Sequence, residues 1–173
     1  TIIGSDFFIA VCRPRSKNVK ELCNEDQVAF LGEFGENILP ATSSPGAKAV
    51  CVVTFMTVMV LDCYTPGDQK IFIDGISKLD DASVKMNGKK FMETSAAQRT
   101  ALLNKLDQEQ KSYTSTKKAD DPNHYFRMMK ELTLLGYFTS ELGCTKALRY
   151  LPVPGKYIGD YPYKKGDRAW ALS

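Results

Sequence analysis

The stretch from Ala49 to Leu61 reads AVCVVTFMTVMVL, a run without a single charge. Its many β-branched residues suit a buried strand, whereas its length suits a buried helix. The choice decides the fold class. A strand must pair, and no second stretch of the chain has the pattern of a partner. The run also falls short of the roughly 18 apolar residues expected of a membrane helix. A buried helix is therefore predicted here, and with it an all-α domain.

The flanking segments carry helix punctuation. Asn24 followed by Gln27 has the form of a capping box, with Val28, Leu31, Phe34 and Ile38 at helical spacing and Pro40 as a stop. PATSSPGAK (residues 40–48) is a turn-rich connector. Pro66 fits a first helical turn, Phe72, Ile76, Leu79 and Ser83 share one face, and Gly88 is a natural terminator. Ser95 and Gln98 repeat the capping pattern ahead of Leu102, Leu103 and Leu106, and residues 107–121 read as a solvated end and loop. Asp121-Pro122 is expected to open the last long helix, with Tyr125, Phe126, Met129, Leu132, Leu135 and Phe138 as its apolar set. The fold class predicted is a compact multi-helix all-α domain with an irregular C-terminal arm rich in Pro, Gly and Tyr. Its divisions are an N-terminal extension or export-leader remnant (1–23), a helical domain (24–150) and a docking arm (151–173).

A chain of 173 residues can bury one core without staples. A net charge of +3, from scattered basic residues, argues against nucleic acid and against an anionic membrane surface. Five cysteines and one histidine offer no CxxC unit and no local set of metal ligands. Cys51 and Cys63, in or beside the apolar run, read as small hydrophobes in preference to disulfide or reactive thiols, with a long-range pair as the alternative in an exported protein. TIIGSDFFIAVC at the start is apolar and short, and RPRSKN follows it. It reads as the tail of an export signal or membrane-proximal leader, with an ordinary packed N-terminal segment as the close alternative.

No sequence motif assembles an active site. His124 is expected on the surface near a helix start, and the pairs Asp80-Asp81 and Asp120-Asp121 are expected to cap helices or to be solvated. Cys144 in ELGCTK is the best single nucleophile candidate, but no histidine accompanies it locally. The unusual segment is YLPVPGKYIGDYPY (residues 150–163). Its prolines restrict the backbone, Pro154-Gly155 has the form of a type II turn, and its tyrosines suit an interface. From physics alone such an arm either wraps its own core or docks on a partner.

Together with GYFTSELGCTKAL (136–148) and RAW (168–170), this arm closely resembles the gluconate 2-dehydrogenase subunit 3 family. ILPATSSPGAKAV (38–50) and FMETSAAQRTALL (91–103) resemble it too. The family comprises the small subunits of membrane-associated flavin dehydrogenases. The resemblance implies a noncatalytic accessory subunit, with no cofactor of its own. Its implied partners are an FAD-containing large subunit of the glucose-methanol-choline type and a cytochrome c subunit carrying haem c. A periplasmic or cell-envelope location follows, as does a role in maturation and export of the flavoprotein. Family members commonly carry a twin-arginine signal; RPR at Arg13 to Arg15 is not one, and such a signal is expected upstream of Thr1. With the resemblance, docking is the favoured reading of the arm. Tyr137, Phe138, Pro152, Pro154, Tyr157 and Tyr163 are its expected contact residues, with Trp170 as terminal anchor. The alternative is a free-standing envelope protein, lipid-anchored at Cys12.

Overall fold

A computed structural model describes residues 22–153 and 155–171. The leader and lipid-anchor expectations, including Cys12, lie outside these residues. Five α-helices follow one another among them: α1 (Glu25–Ile38), α2 (Val52–Cys63), α3 (Pro66–Asn87), α4 (Ala96–Thr116) and α5 (Tyr125–Phe138). A 3₁₀ turn (Phe91–Glu93) precedes α4, and a π turn (Gly143–Ala147) follows α5. The fold is all-α. The sole β feature among the described residues is an isolated parallel bridge between Arg149 and Trp170.

The uncharged run is a helix, as predicted, and its environment overrides its β-branched composition. Val52, Met56, Thr57 and Val60 are buried, while Val53, Phe55 and Met59 pack at the edge of the core. Thr57 is polar yet fully buried, and its hydroxyl donates to the carbonyls of Val53 and Thr54. That local bonding removes the cost of an unpaired buried hydroxyl. α2 begins with Cys51 in the left-handed region (φ 56°) and without a side-chain cap. At its other end Gln69, reaching back from α3, places Nε2 3.1–3.2 Å from the carbonyls of Val60, Leu61 and Tyr64. Those are acceptors that a helix end leaves open.

Most punctuation is where the sequence puts it. Asn24 and Ser95 make reciprocal capping boxes with Gln27 and Gln98. Thr65 caps α3 with Pro66 in its first turn, and Gly88 ends it at φ 72°. Asp80 accepts from the Phe91 N–H, so this carboxylate fixes the 3₁₀ turn. The start of α5 differs from expectation. The helix opens at Tyr125 rather than at Pro122, because His124 is the N-cap, its Nδ1 accepting from the Phe126 N–H. His124 is half-buried between Tyr113 and Tyr125, not a surface residue. α4 runs on to Thr116, so only residues 117–124 form the connector.

α5 is the central helix: it packs on α1, α2, α3 and α4, most extensively on α2. Close approach there depends on Gly136, since a Cβ would lie 2.7 Å from the Phe55 ring. The core draws Phe30, Leu31 and Phe34 from α1, Phe72, Ile76 and Leu79 from α3, and Leu102, Leu103 and Leu106 from α4. Phe126, Met129 and Leu132 of α5 meet them, with Phe34 edge-on to Phe126. Two members of the expected α5 set are not in the core: Leu135 is 47% and Phe138 38% exposed. They lie on the outward side of the last turn, whose other residues, Gly136 and Tyr137, are buried. The cysteines also depart from expectation. Cys51 is disulfide-bonded, and Cys63 is exposed at the end of α2 rather than buried in it.

Candidate docking surface

Three of the motif stretches are held together by side chains of the helical body. Glu36 accepts from the backbone N–H groups of Ala41 and Lys48 at 2.9 Å, which folds the connector back over α1. Tyr137 donates its hydroxyl to Pro45 O at 2.6 Å, so the connector is also pinned to α5. Arg99 donates to Phe91 O, Met92 O and Glu33, and its guanidinium stacks 5.2 Å from the Phe91 ring. Glu33 also pairs with Lys48. Lys48, with help from Arg99, holds the Glu33 carboxyl below its usual range against the opposing effect of burial. Glu33 thus joins the connector to the 3₁₀ turn, and these residues are occupied in holding the body together.

The groups with chemical potential are similarly engaged. Cys144 donates its thiol to Phe138 O. Burial pushes the Cys23 thiol up to about 11 and the Tyr125 hydroxyl to about 12. A cleft of about 420 Å³ between α4 and α5 is lined by Asp107, Lys111, Arg127, Lys130 and Glu131. Its charges are paired internally, Asp107 with Lys111 and Lys130, and Arg127 with Glu131. The Lys111 and Lys130 hydrogen bonds lower the Asp107 carboxyl to about 2. No group of three or more His, Cys, Asp or Glu among the described residues is placed to hold a metal.

After α5 the chain turns through a junction that only glycine permits. Ser140 donates to Tyr137 O and accepts from Gly143 N–H, and Leu148 N–H reaches back to Gly143 O. A Cβ on Gly143 would collide with the Tyr137 carbonyl oxygen. The arm then leaves the body and returns to it. Arg149 N–H donates to Ala169 O and Ala171 N–H to Arg149 O, at 2.8 and 2.7 Å. The Arg149 guanidinium lies 4.3 Å from the Trp170 ring centroid, and Tyr161 meets Trp170 edge-on at 5.5 Å. Gly155 has φ 75°, as the third residue of a type II turn requires.

Between these ends the arm exposes apolar side chains. Tyr157 is 94%, Val153 78% and Tyr163 73% exposed, and Pro152 is exposed beside them. Phe138 is partly exposed at the end of α5, edge-on to Tyr137. Tyr137 itself is 3% exposed and packs inside the body. Trp170 stands at the base of the arm, on Arg149, and Pro154 lies outside the described residues. The expected contact residues therefore divide into an outward group on the arm (Pro152, Tyr157, Tyr163), a partly exposed residue at the end of α5 (Phe138), a base (Trp170) and a core residue (Tyr137). Sequence reasoning missed Arg149. A lone arginine after a helical pattern carries no signal until Trp170 is seen beside it.

The architecture defines an α-helical protein with most of its exposed large apolar side chains on one returning segment. A model of the family described as gluconate 2-dehydrogenase subunit 3 matches residues 25–155, and the chain belongs to that family. The match covers the helical body and reaches Gly155; residues 156–170, also part of the sequence resemblance, lie beyond it. No curated protein and no solved structure matches the chain. The family is that of a dehydrogenase subunit, which implies partner subunits. No helix among the described residues is long and apolar enough to cross a membrane.

Proposed function

We propose that the chain is the noncatalytic small subunit of an exported, FAD-dependent dehydrogenase of the glucose-methanol-choline type, acting on a sugar or sugar acid. Its task is to bind the flavoprotein subunit and to aid its maturation, export and stability. The flavoprotein holds the FAD, and a cytochrome c subunit with haem c takes the electrons. The contact surface is the arm, with Tyr157, Tyr163 and Pro152 outward, together with Phe138 at the end of α5.

The observation that carries this reading is the contrast in exposure between body and arm, in a chain of a subunit family. The body buries most of its large apolar residues, leaving none more than about half exposed, and engages its motif residues in holding itself together. The arm leaves a nearly naked tyrosine in water, and an exposed cluster of this kind marks an interaction surface. Co-expression with an FAD-containing dehydrogenase large subunit from the same genome tests the reading. The expected result is one complex carrying flavin, and an export defect of the flavoprotein when the small subunit is omitted. A flavoprotein that is exported and active alone, and never associates with this chain, would contradict it.

A further inference from the structure

Residues 150–169 begin and end at one place. The backbone pair between Arg149 and Ala169, with the return bond from Ala171, closes them at the base. Arg149 reinforces the closure by lying against Trp170 and within 5.7 Å of the Tyr161 ring centroid. Arg149 makes no ion pair among the described residues, and its Nε is buried without a hydrogen-bond partner. Its side chain therefore has the aromatic rings as its binding surface, an interaction that strengthens where water is excluded. Arg168 adds a hydrogen bond to Lys146 O, and Asp167 accepts from the Lys164 N–H.

The closed segment has a distinct surface chemistry. Tyr157, Val153 and Tyr163 point to solvent, and Lys156, Lys164 and Lys165 are exposed among them. From residue 150 to 171 four basic side chains stand against two acidic ones, so this segment carries most of the chain's net charge of +3. A tyrosine needs an apolar pocket with a polar mouth, and lysines around it need carboxylates on the facing surface.

We infer that Arg149 and Trp170 clamp the arm into a preformed loop, and that this loop docks into an apolar pocket with an acidic rim on the dehydrogenase's large subunit. The inference rests on the reading above that the arm meets a partner subunit. Arg149 is a positioning residue: it touches the loop and not the partner. Closing the loop before docking removes part of the ordering cost that binding otherwise bears. Tyr157 is the anchor, and the lysines set the rate and the salt dependence of encounter.

Trp170 is the only tryptophan, so its fluorescence reads the clamp in the isolated chain. Arg149→Ala is expected to raise quenching of Trp170 by acrylamide while leaving far-ultraviolet helicity unchanged. In surface-immobilised binding to the purified FAD-containing large subunit, the same variant is expected to bind about tenfold more weakly. Tyr157→Ala is expected to lose roughly 30-fold in affinity with Trp170 quenching unaltered. Neutralising Lys156, Lys164 and Lys165 to Gln is expected to remove most of the salt dependence of association, and unchanged salt dependence would overturn the acidic rim. Equal quenching in wild type and Arg149→Ala would overturn the clamp. Altered quenching with unaltered affinity would overturn preformed docking while leaving the small-subunit role intact. Absence of wild-type binding would remove both. Tyr157-dependent binding to phosphatidylglycerol vesicles, with none to the large subunit, would assign the loop to a lipid surface and overturn the protein pocket.

Discussion

At the scale of single residues, the side chains that tie distant stretches together are the ones whose partners the sequence conceals. Arg99 sits in QRTALL like any exposed helix residue, yet it binds Glu33 and two carbonyls of the 3₁₀ turn. Nothing local in the chain announces Glu33, because the pair is made by the packing of α4 on α1. Arg99→Ala is expected to cost about 2 kcal/mol of stability, read from the midpoint of urea denaturation. His124 is a second case. The sequence places a histidine near a helix start, but not that its ring nitrogen is the cap. Burial lowers its pKa below 6.5, and Lys78 adds to this; Glu109 opposes it only in part. Protonation would also convert the acceptor Nδ1 into a donor facing the Phe126 N–H at the positive end of α5. The unfolded chain therefore takes up the proton first as pH falls below 6.5, and the folded state loses stability until the lowered folded pKa is passed. His124→Asn keeps a cap and removes the titration, so its stability should be flatter than wild type from pH 6.5 downward.

At the scale of elements, caps and periodicity were legible, and helix ends made by tertiary contacts were not. The capping boxes at Asn24 and Ser95, the Pro66 start and the Gly88 stop all follow from local chemistry, which a sequence displays directly. α2 was harder. Its β-branched residues have the composition of a strand, and it is helical because α1, α3 and α5 bury it and Thr57 bonds its own backbone. Its C-terminus relies on Gln69 from the next helix. Gln69→Leu should leave those carbonyls without that partner and cost about 1–2 kcal/mol, measured by thermal unfolding. Leu135 and Phe138 are exposed while Gly136 and Tyr137 between them are buried, since periodicity alone does not fix how wide a stripe of α5 its neighbours cover. The π turn was invisible too. Gly143 is identifiable only from its approach to the Tyr137 carbonyl, and Gly143→Ala should cost about 1–3 kcal/mol as the turn shifts to clear it.

At the scale of the whole molecule, a helical body carries a segment that contributes no residue to the described core. The change in texture after Tyr150 is plain in the sequence, since prolines, glycines and tyrosines cannot continue a helix. Its return to the body is not, because the Arg149–Trp170 contact joins residues that local patterns treat separately. The same blindness put Tyr137 among the contact residues, although its side chain belongs to the core. What remains outward is Tyr157, Tyr163, Val153 and Pro152, and on these the account of a flavoprotein-binding small subunit stands. The most direct measurement is the flavin absorbance that co-elutes with the affinity-tagged chain after co-expression with the FAD-containing subunit. Wild type should carry about one flavin per chain, as expected for a one-to-one complex, and the Tyr157→Ala, Tyr163→Ala double variant should carry far less while keeping its helical spectrum. Equal flavin on both would contradict docking through the arm, and no flavin on either would contradict the small-subunit assignment itself.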